Sequence, residues 1–319
     1  MDILIDWGST NFRAFFMENG RPVQRLNLAG QGIFKSFAPS ASSRIGDYSA
    51  FLERELAAWL TSKPKASVLM CGMVGSREGW VPTPFAPLPV SFDDLAARLY
   101  HLTPEQRGSL PDCDIAIVPG ISTCQTDGRF DVIRSEEVKA LGALANLGLS
   151  DALLCIPGTH CKWVYVESGA VRAFHTLPSG ELYGLLHESG SLSLLLREES
   201  ARGDAPDDMH SFDLGMALAK EGQDLLADIW QVRSQKLLST APPASLRSYL
   251  SGILMGHELK QAQAYFPGLS QVVLIADAGA RQMFYKRALN QSGLDVLASI
   301  DNETAVCEGL ARIGRLVAH

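Results

Sequence analysis

Asp6, Gly8, Ser9, Thr10 and Asn11 follow directly on an apolar run, Ile3 to Ile5, and lead into a second one, Phe12 to Met17. At the end of a buried strand, a glycine lets backbone N–H groups approach phosphate oxygens. Two hydroxyls and an amide add donors, and a carboxylate can hold a divalent ion through water. These residue types in this order fit a phosphate and metal site; the plainer alternative is a hairpin with an exposed Asp6. The chain repeats the device halfway along, where Ala152 to Ile156 is apolar, Pro157-Gly158-Thr159-His160 is a small-residue turn, and Cys161 to Val166 is apolar again. Gly8 then corresponds to Gly158 and Ser9 to Thr159.

The elements that must carry these turns repeat as well. After each second strand comes a short turn, Glu18-Asn19-Gly20 and Glu167-Ser168-Gly169, and a third apolar segment, Val23 to Leu28 and Val171 to Leu177. Each half therefore opens as a three-stranded meander. The halves also end alike, since Arg134-Ser135-Glu136-Glu137 and Asp301-Asn302-Glu303 both read as a polar cap and acidic first turn of an amphipathic helix. So long a period points to two related domains rather than a solenoid. Two facing phosphate turns imply a nucleotide in a cleft between them. The division falls at 148–151, giving domains 1–149 and 150–319.

Elsewhere, helices are expected at 48–60, 92–100, 181–197, 212–230 and 243–265, and strands at 68–71, 115–118, 272–276 and 295–298. The four prolines of Val81 to Val90 predict an irregular connection, and 203–208 reads as a polar, acidic break.

Asp6-Trp-Gly-Ser-Thr-Asn-Phe-Arg13, Gly72-Met-Val-Gly-Ser76, Pro157-Gly-Thr-His-Cys-Lys-Trp163 and Ser179-Gly-Glu-Leu182 resemble the motifs of the 2-dehydro-3-deoxygalactonokinase family over essentially the whole chain. That family belongs to the superfamily of sugar kinases, heat-shock chaperone ATPases and actin. The resemblance implies an α/β fold of two ribonuclease-H-like (actin-like ATPase) domains, each a mixed five-stranded sheet flanked by helices, with the active-site cleft between them. It implies an enzyme that phosphorylates 2-dehydro-3-deoxy-D-galactonate to its 6-phosphate with ATP and Mg²⁺, in the degradation of galactonate. The 1–149 half would bind the sugar acid and the 150–319 half the nucleotide.

Phosphoryl transfer asks for positioned reactants, a metal on the phosphates and donors for developing charge. On the family pattern Asp6 is the metal-positioning and catalytic carboxylate, with Gly8, Ser9, Thr10 and Asn11 around the transferred phosphate. Gly158, Thr159 and His160 form the opposite phosphate loop. Lys162 is a nearby cation, directed either to the phosphate or, from its strand, to solvent. The catalytic base is expected at the start of the last N-domain helix, at Glu136 with Glu137 in reserve. Adjacent carboxylates there also serve as plain complements of the helix dipole. Arg134 is placed to pair with the substrate's carboxylate, or is a surface arginine. Met73, Val74, Gly75, Ser76, Arg77, Glu78 and Trp80 resemble a substrate loop, in which Trp80 either stacks on the sugar or anchors the loop. Ala276, Asp277, Ala278 and Gly279 would lie against the adenosine.

Composition sets the outer bounds. The 319 residues exceed what one core usually serves, and a hydrophobic share of 46% is ordinary for a globular protein. A net charge of −7 argues against broad attraction to nucleic acid or an anionic membrane. No apolar run approaches the roughly 20 residues of a membrane helix and no signal segment opens the chain, so a cytoplasmic location is expected. Neither a P-loop nor a dinucleotide-binding glycine pattern is present. The 6 cysteines lack a Cys-x-x-Cys pair, which speaks against a disulfide framework or structural zinc. Cys155, His160 and Cys161 are close in sequence; strand thiols and a turn histidine are the plainer account, a metal cluster the alternative. The resemblance implies a small sugar acid as partner, and the chain is expected as a monomer or homodimer. Two other readings share these residues: a kinase of another sugar acid such as 2-dehydro-3-deoxygluconate, and a nonenzymatic nucleotide switch.

Overall fold

A computed structural model describes residues 1–33, 44–63, 65–110, 113–124, 128–201, 208–222, 224–240 and 242–317. Most of the expected acidic break at 203–208 lies outside them. The described residues form two compact units, 1–152 with 164–174 and 301–319, and 153–163 with 175–300.

In the first unit, β1 (Ile3–Trp7), β2 (Asn11–Glu18) and β3 (Arg21–Ala29) make the expected meander. β1 also pairs in parallel with β4 (Ser67–Cys71), and β4 with β7 (Asp114–Ile117), whose far edge carries the two-residue β6 (Tyr100–His101). The sheet order is β3-β2-β1-β4-β7-β6, so a sixth short strand extends the expected five. Parallel strands buried on both faces need continuous apolar runs, and Ile3, Leu4, Ile5 and Trp7 are all fully buried. One face of the sheet is closed by an aromatic cluster in which Trp7 meets Phe12, Tyr48 and Phe51 at ring separations of 4.9 to 5.0 Å. On the proline-rich segment β5 (Ala86–Pro87) pairs with β8 (Ile121–Cys124), which pairs with β9 (Phe130–Ile133). β8 and β9 escaped the sequence because each is only 4 residues long. The two helices that end the sequence halves, Glu136–Leu147 and Asn302–Val317, pack against each other in this one unit.

The second meander is β10 (Ala152–Ile156), β11 (Cys161–Glu167) and β12 (Ala170–Leu177), continued by β13 (Gln271–Ile275) and β14 (Asp295–Ile300) in the order β12-β11-β10-β13-β14. β10 runs parallel to β13 and β13 to β14, repeating the logic of the first sheet. Helices Met209–Glu221, Leu225–Leu238 and Leu246–Tyr265 pack into the second unit. Two helices expected as continuous are broken: 181–197 becomes Ser179–Glu188 and Gly190–Ala201, and 212–230 stops at Glu221 and resumes at Leu225. A positive φ of 81° at Gly190 and an extended Gly222 interrupt the hydrogen-bond ladder there. Among the described residues no helix is long and apolar enough to cross a membrane.

Candidate active site

In the first unit the chemistry gathers on Asp6, 2% exposed near the end of β1. Arg13 from β2 reaches its Oδ2 at 3.1 Å, and Lys139 lies 3.7 Å from the same oxygen. Ser135 Oγ donates to Oδ1 at 2.9 Å. Burial pushes the Asp6 carboxyl up, but the Lys139 and Arg13 charges and the bonds from Ser135 and Arg13 outweigh it and hold the group below the usual carboxylate range. Lys139, absent from the sequence reading, is raised because the Asp6 and Glu136 charges overcome its burial. Its signal was there: it stands one helical turn after Ser135 and Glu136.

Ser135 is the unusual residue. It precedes the helix with φ of 89°, a left-handed conformation that a non-glycine residue adopts at a cost of order 1–3 kcal/mol. Its hydroxyl does not cap the helix but turns to Asp6. The two glutamates cover the helix start: Glu136 Oε2 accepts from Arg134 N and Glu137 Oε1 from Ser135 N, each at 3.0 Å. They are not equivalent. Glu137 is fully buried, and burial together with the Glu136 charge pushes its carboxyl up to about 8. Glu136 is only partly buried.

Arg134 is no free surface arginine. Its guanidinium donates to the hydroxyl and carbonyl of Thr83 and lies over the Phe85 ring at 4.3 Å, tying the proline-rich segment to the helix start. Gly72, with φ of 100°, folds the following turn so closely over Trp7 O that an added Cβ would sit 2.6 Å from it and 3.4 Å from Asp6 Oδ1. The 3₁₀ turn Met73–Gly75 follows, with Gly75 beside Arg134. Within this loop Val74 is core and Ser76 Oγ accepts from Gly79 N, while Arg77 and Glu78 are exposed. Of the two roles expected for Trp80, its surroundings favour the anchor. It is 3% exposed, stacked on Tyr48 at 5.8 Å and bonded through Nε1 to Gln106 O. The turn itself is tight: Gly8 N donates to Asn11 O at 3.0 Å, Asn11 Oδ1 accepts from Gly30 N, and Thr10 is exposed beside the half-buried Ser9.

The second unit's turn is built differently. Gly158 and Thr159 face Ser179-Gly180, and Glu181 N donates to Thr159 O at 2.7 Å. A Cβ on Gly180 would fall 2.2 Å from Gly158 O, so only glycine permits this approach. Both glycines line a cavity of about 450 Å³, together with Thr159, Ser179, Tyr183, Arg247, Ser248, Ser251, Leu254, Met255, Glu258, Ala280, Arg281, Phe284 and Tyr285. Sequence reasoning missed the wall from helix Leu246–Tyr265, although Ser248, Ser251, Met255 and Glu258 recur at helical spacing. His160 lies outside this lining, exposed and 2.9 Å from Glu181 Oε2. Lys162 is buried on β11 rather than directed into solvent. Of the expected adenosine residues, Ala276 is buried at the end of β13, and Asp277, Ala278 and Gly279 are exposed; the cavity begins at Ala280, the residue after them. Within the lining, Glu258 Oε2 accepts hydrogen bonds from Ser179 and, at 3.1 Å, from Tyr285.

Comparison with known proteins bears on this arrangement as a whole. The chain matches the family model described as 2-keto-3-deoxy-galactonokinase over residues 6–313. It is 30% identical over 317 residues to the probable 2-dehydro-3-deoxygalactonokinase of Rhizobium meliloti, covering 98% of this chain and 96% of that one. It is 30% identical over 318 residues to the 2-dehydro-3-deoxygalactonokinase of Escherichia coli, covering 99% and 98%. Among solved structures, a putative 2-dehydro-3-deoxygalactonokinase protein from Sinorhizobium meliloti superimposes with a TM-score of 0.82 at 28% identity, covering 99% and 98%. Match, motifs and fold agree along the full length, and the chain belongs to the 2-dehydro-3-deoxygalactonokinase family.

Proposed function

We propose that this chain transfers the terminal phosphoryl group of ATP to the 6-hydroxyl of 2-dehydro-3-deoxy-D-galactonate. The observation that carries the reading is the cluster of Asp6, Ser135 and Glu136 with Arg13 and Lys139, in a chain of this family. Glu136 is the base, because it is the half-buried member of the pair, whereas Glu137 is sealed in the core; each has one oxygen tied to a backbone N–H, so burial is what separates them. Asp6 would hold Mg²⁺ through water, since Arg13, Lys139 and Ser135 already engage both its oxygens. When bound, the ion neutralises charge on the phosphates. Arg13 and Lys139 supply the fixed cations of the first unit, with Gly8, Ser9, Thr10 and Asn11 offering donors. Arg134, with Thr83 and the Met73–Gly75 turn, holds the acid's carboxylate.

Gly158 and Thr159 take the nucleotide's phosphates, and the cavity beside them takes the adenosine between Tyr183, Leu254, Met255 and Phe284. The cytoplasm, where ATP is abundant, is the compartment that suits this reaction. ADP release should be measured by a coupled assay with Mg²⁺-ATP across the galactonate compound, its gluconate epimer and neutral hexoses. Preference for the galactonate compound supports the reading. Preference for the epimer moves the substrate, and no release with any compound returns the chain to a nucleotide switch. Arg134→Ala should raise KM for the acid on the order of tenfold while sparing KM for ATP, as loss of a charged hydrogen bond predicts. An unchanged KM would place the carboxylate elsewhere.

A further inference from the structure

Cys155 on β10, Cys161 on β11 and Glu258 on helix Leu246–Tyr265 meet inside the second unit. Two sulfurs and one carboxylate oxygen lie within 4.8 Å of one another, and all three residues are buried. The sulfurs are 3.8 Å apart. Metal–sulfur bonds of about 2.3 Å at a tetrahedral angle set two thiolates roughly 3.8 Å apart, so the pair already has the required spacing. Glu258 is held in place through Oε2 by Ser179 and Tyr285, while Oε1 is buried without a hydrogen-bond partner of good geometry; the Cys161 thiol and the Trp163 indole also interact with this carboxylate. Burying a carboxylate oxygen without a well-formed hydrogen bond is unfavourable, and a cation there would offset that cost.

We propose that Cys155, Cys161 and Glu258 form a binding site for one thiophilic divalent cation, Zn²⁺ foremost, with the fourth position of a tetrahedral ion left to water or Tyr285. Binding releases the two thiol protons to solvent, and the two thiolates and the carboxylate coordinate the ion. The donor set separates this site from any Mg²⁺ at Asp6, since two thiolates select a softer ion than carboxylate and water do. His160, sequence neighbour of Cys161, takes no part, being exposed and bonded to Glu181. Glu258 also lines the cavity, so the ion and a ligand in the cavity share one carboxylate. The site itself does not depend on the kinase reading.

The full chain, kept reduced by a phosphine and stripped of metal, is titrated with Co²⁺ without nucleotide. One equivalent should bind with sulfur-to-cobalt charge-transfer absorption, and Zn²⁺ should displace it. Cys155→Ser and Cys161→Ser should each lose about half or more of that absorption and weaken Zn²⁺ binding on the order of tenfold or more; Glu258→Gln should keep the absorption and weaken binding. Cys113→Ser, at a buried thiol of the first unit, should behave as the parent. Circular dichroism checks each fold, and any one of the three site variants that folds suffices. No thiolate absorption in the parent, or absorption and affinity unchanged in the folded site variants, overturns the site.

Discussion

The turn at Gly8 and the turn at Gly158 share a backbone plan, strand, glycine, hydroxyl and strand, yet they are furnished in opposite ways. The first is polar and charged: a buried carboxylate is clamped by Arg13, Lys139 and Ser135. The second has no acidic residue at the matching position, Ile156, and opens on a cavity of mixed hydroxyl and apolar walls. A duplicated device has thus been divided, one copy organised around charge and the other around shape. In the first, what surrounds the turn can stabilise a reacting phosphoryl group. In the second, Gly180 comes so close to Gly158 O that no side chain fits between the turn and its helix.

The sharpest way to break this contrast is Glu136→Gln. If the first unit does the chemistry, kcat should fall by about 10² to 10⁴ with ATP affinity preserved, since a general base contributes that much. Near-normal turnover would remove Glu136 from the role. Next comes Asp6→Asn, which leaves Arg13 and Lys139 without their counter-charge. Turnover should drop on the order of 10² or more, and thermal unfolding should report a loss of about 3–5 kcal/mol, as breaking a buried pair does. A variant as stable as the parent would show that the cations find other partners.

The complementary change is Gly180→Ala, whose new methyl collides with Gly158 O. The collision should lower stability by about 1–3 kcal/mol, and the displacement of Gly158 and Thr159 that relieves it should raise KM for ATP roughly tenfold, with KM for the acid little changed. Equal increases for both substrates would mean that the second turn does not act on the nucleotide alone. The smallest effect concerns Glu137. Its carboxyl keeps a proton up to about 8 in the folded chain, whereas an exposed glutamate ionises near 4.5. The folded state binds more protons in that window, so this contribution to stability is full below about 4.5 and is lost as pH rises toward 8. Between pH 6 and 9 the melting temperature should fall by a few degrees, and Glu137→Gln should flatten that slope. A parallel slope in the variant would assign the pH dependence to other groups.

The two helix starts show how far a sequence carries. Arg134-Ser-Glu-Glu and Asp301-Asn-Glu look equivalent, and Asp301 does cap its helix through Thr304 N at 2.7 Å. Ser135 instead adopts a left-handed φ and gives its hydroxyl to Asp6. Nothing local distinguishes them, because the partner that diverts Ser135 lies 129 residues away. The same limit applies to Trp80, whose indole reads equally well as a sugar platform or a core anchor until Tyr48 and Gln106 are seen against it.

By itself the sequence determined the two meanders, the glycine turns at their tips, the helix starts and the family, because alternation, glycine placement and short motifs are local properties of the chain. Tertiary structure decided which charges compensate Asp6, which glutamate is sealed and which is half open, and which helix walls the cavity. It also brought two thiols of neighbouring strands to a carboxylate nearly a hundred positions further along. The physical reason is burial. The ionisation and reach of a side chain depend on what is packed around it, and that packing joins residues whose separation in sequence carries no information about their contact.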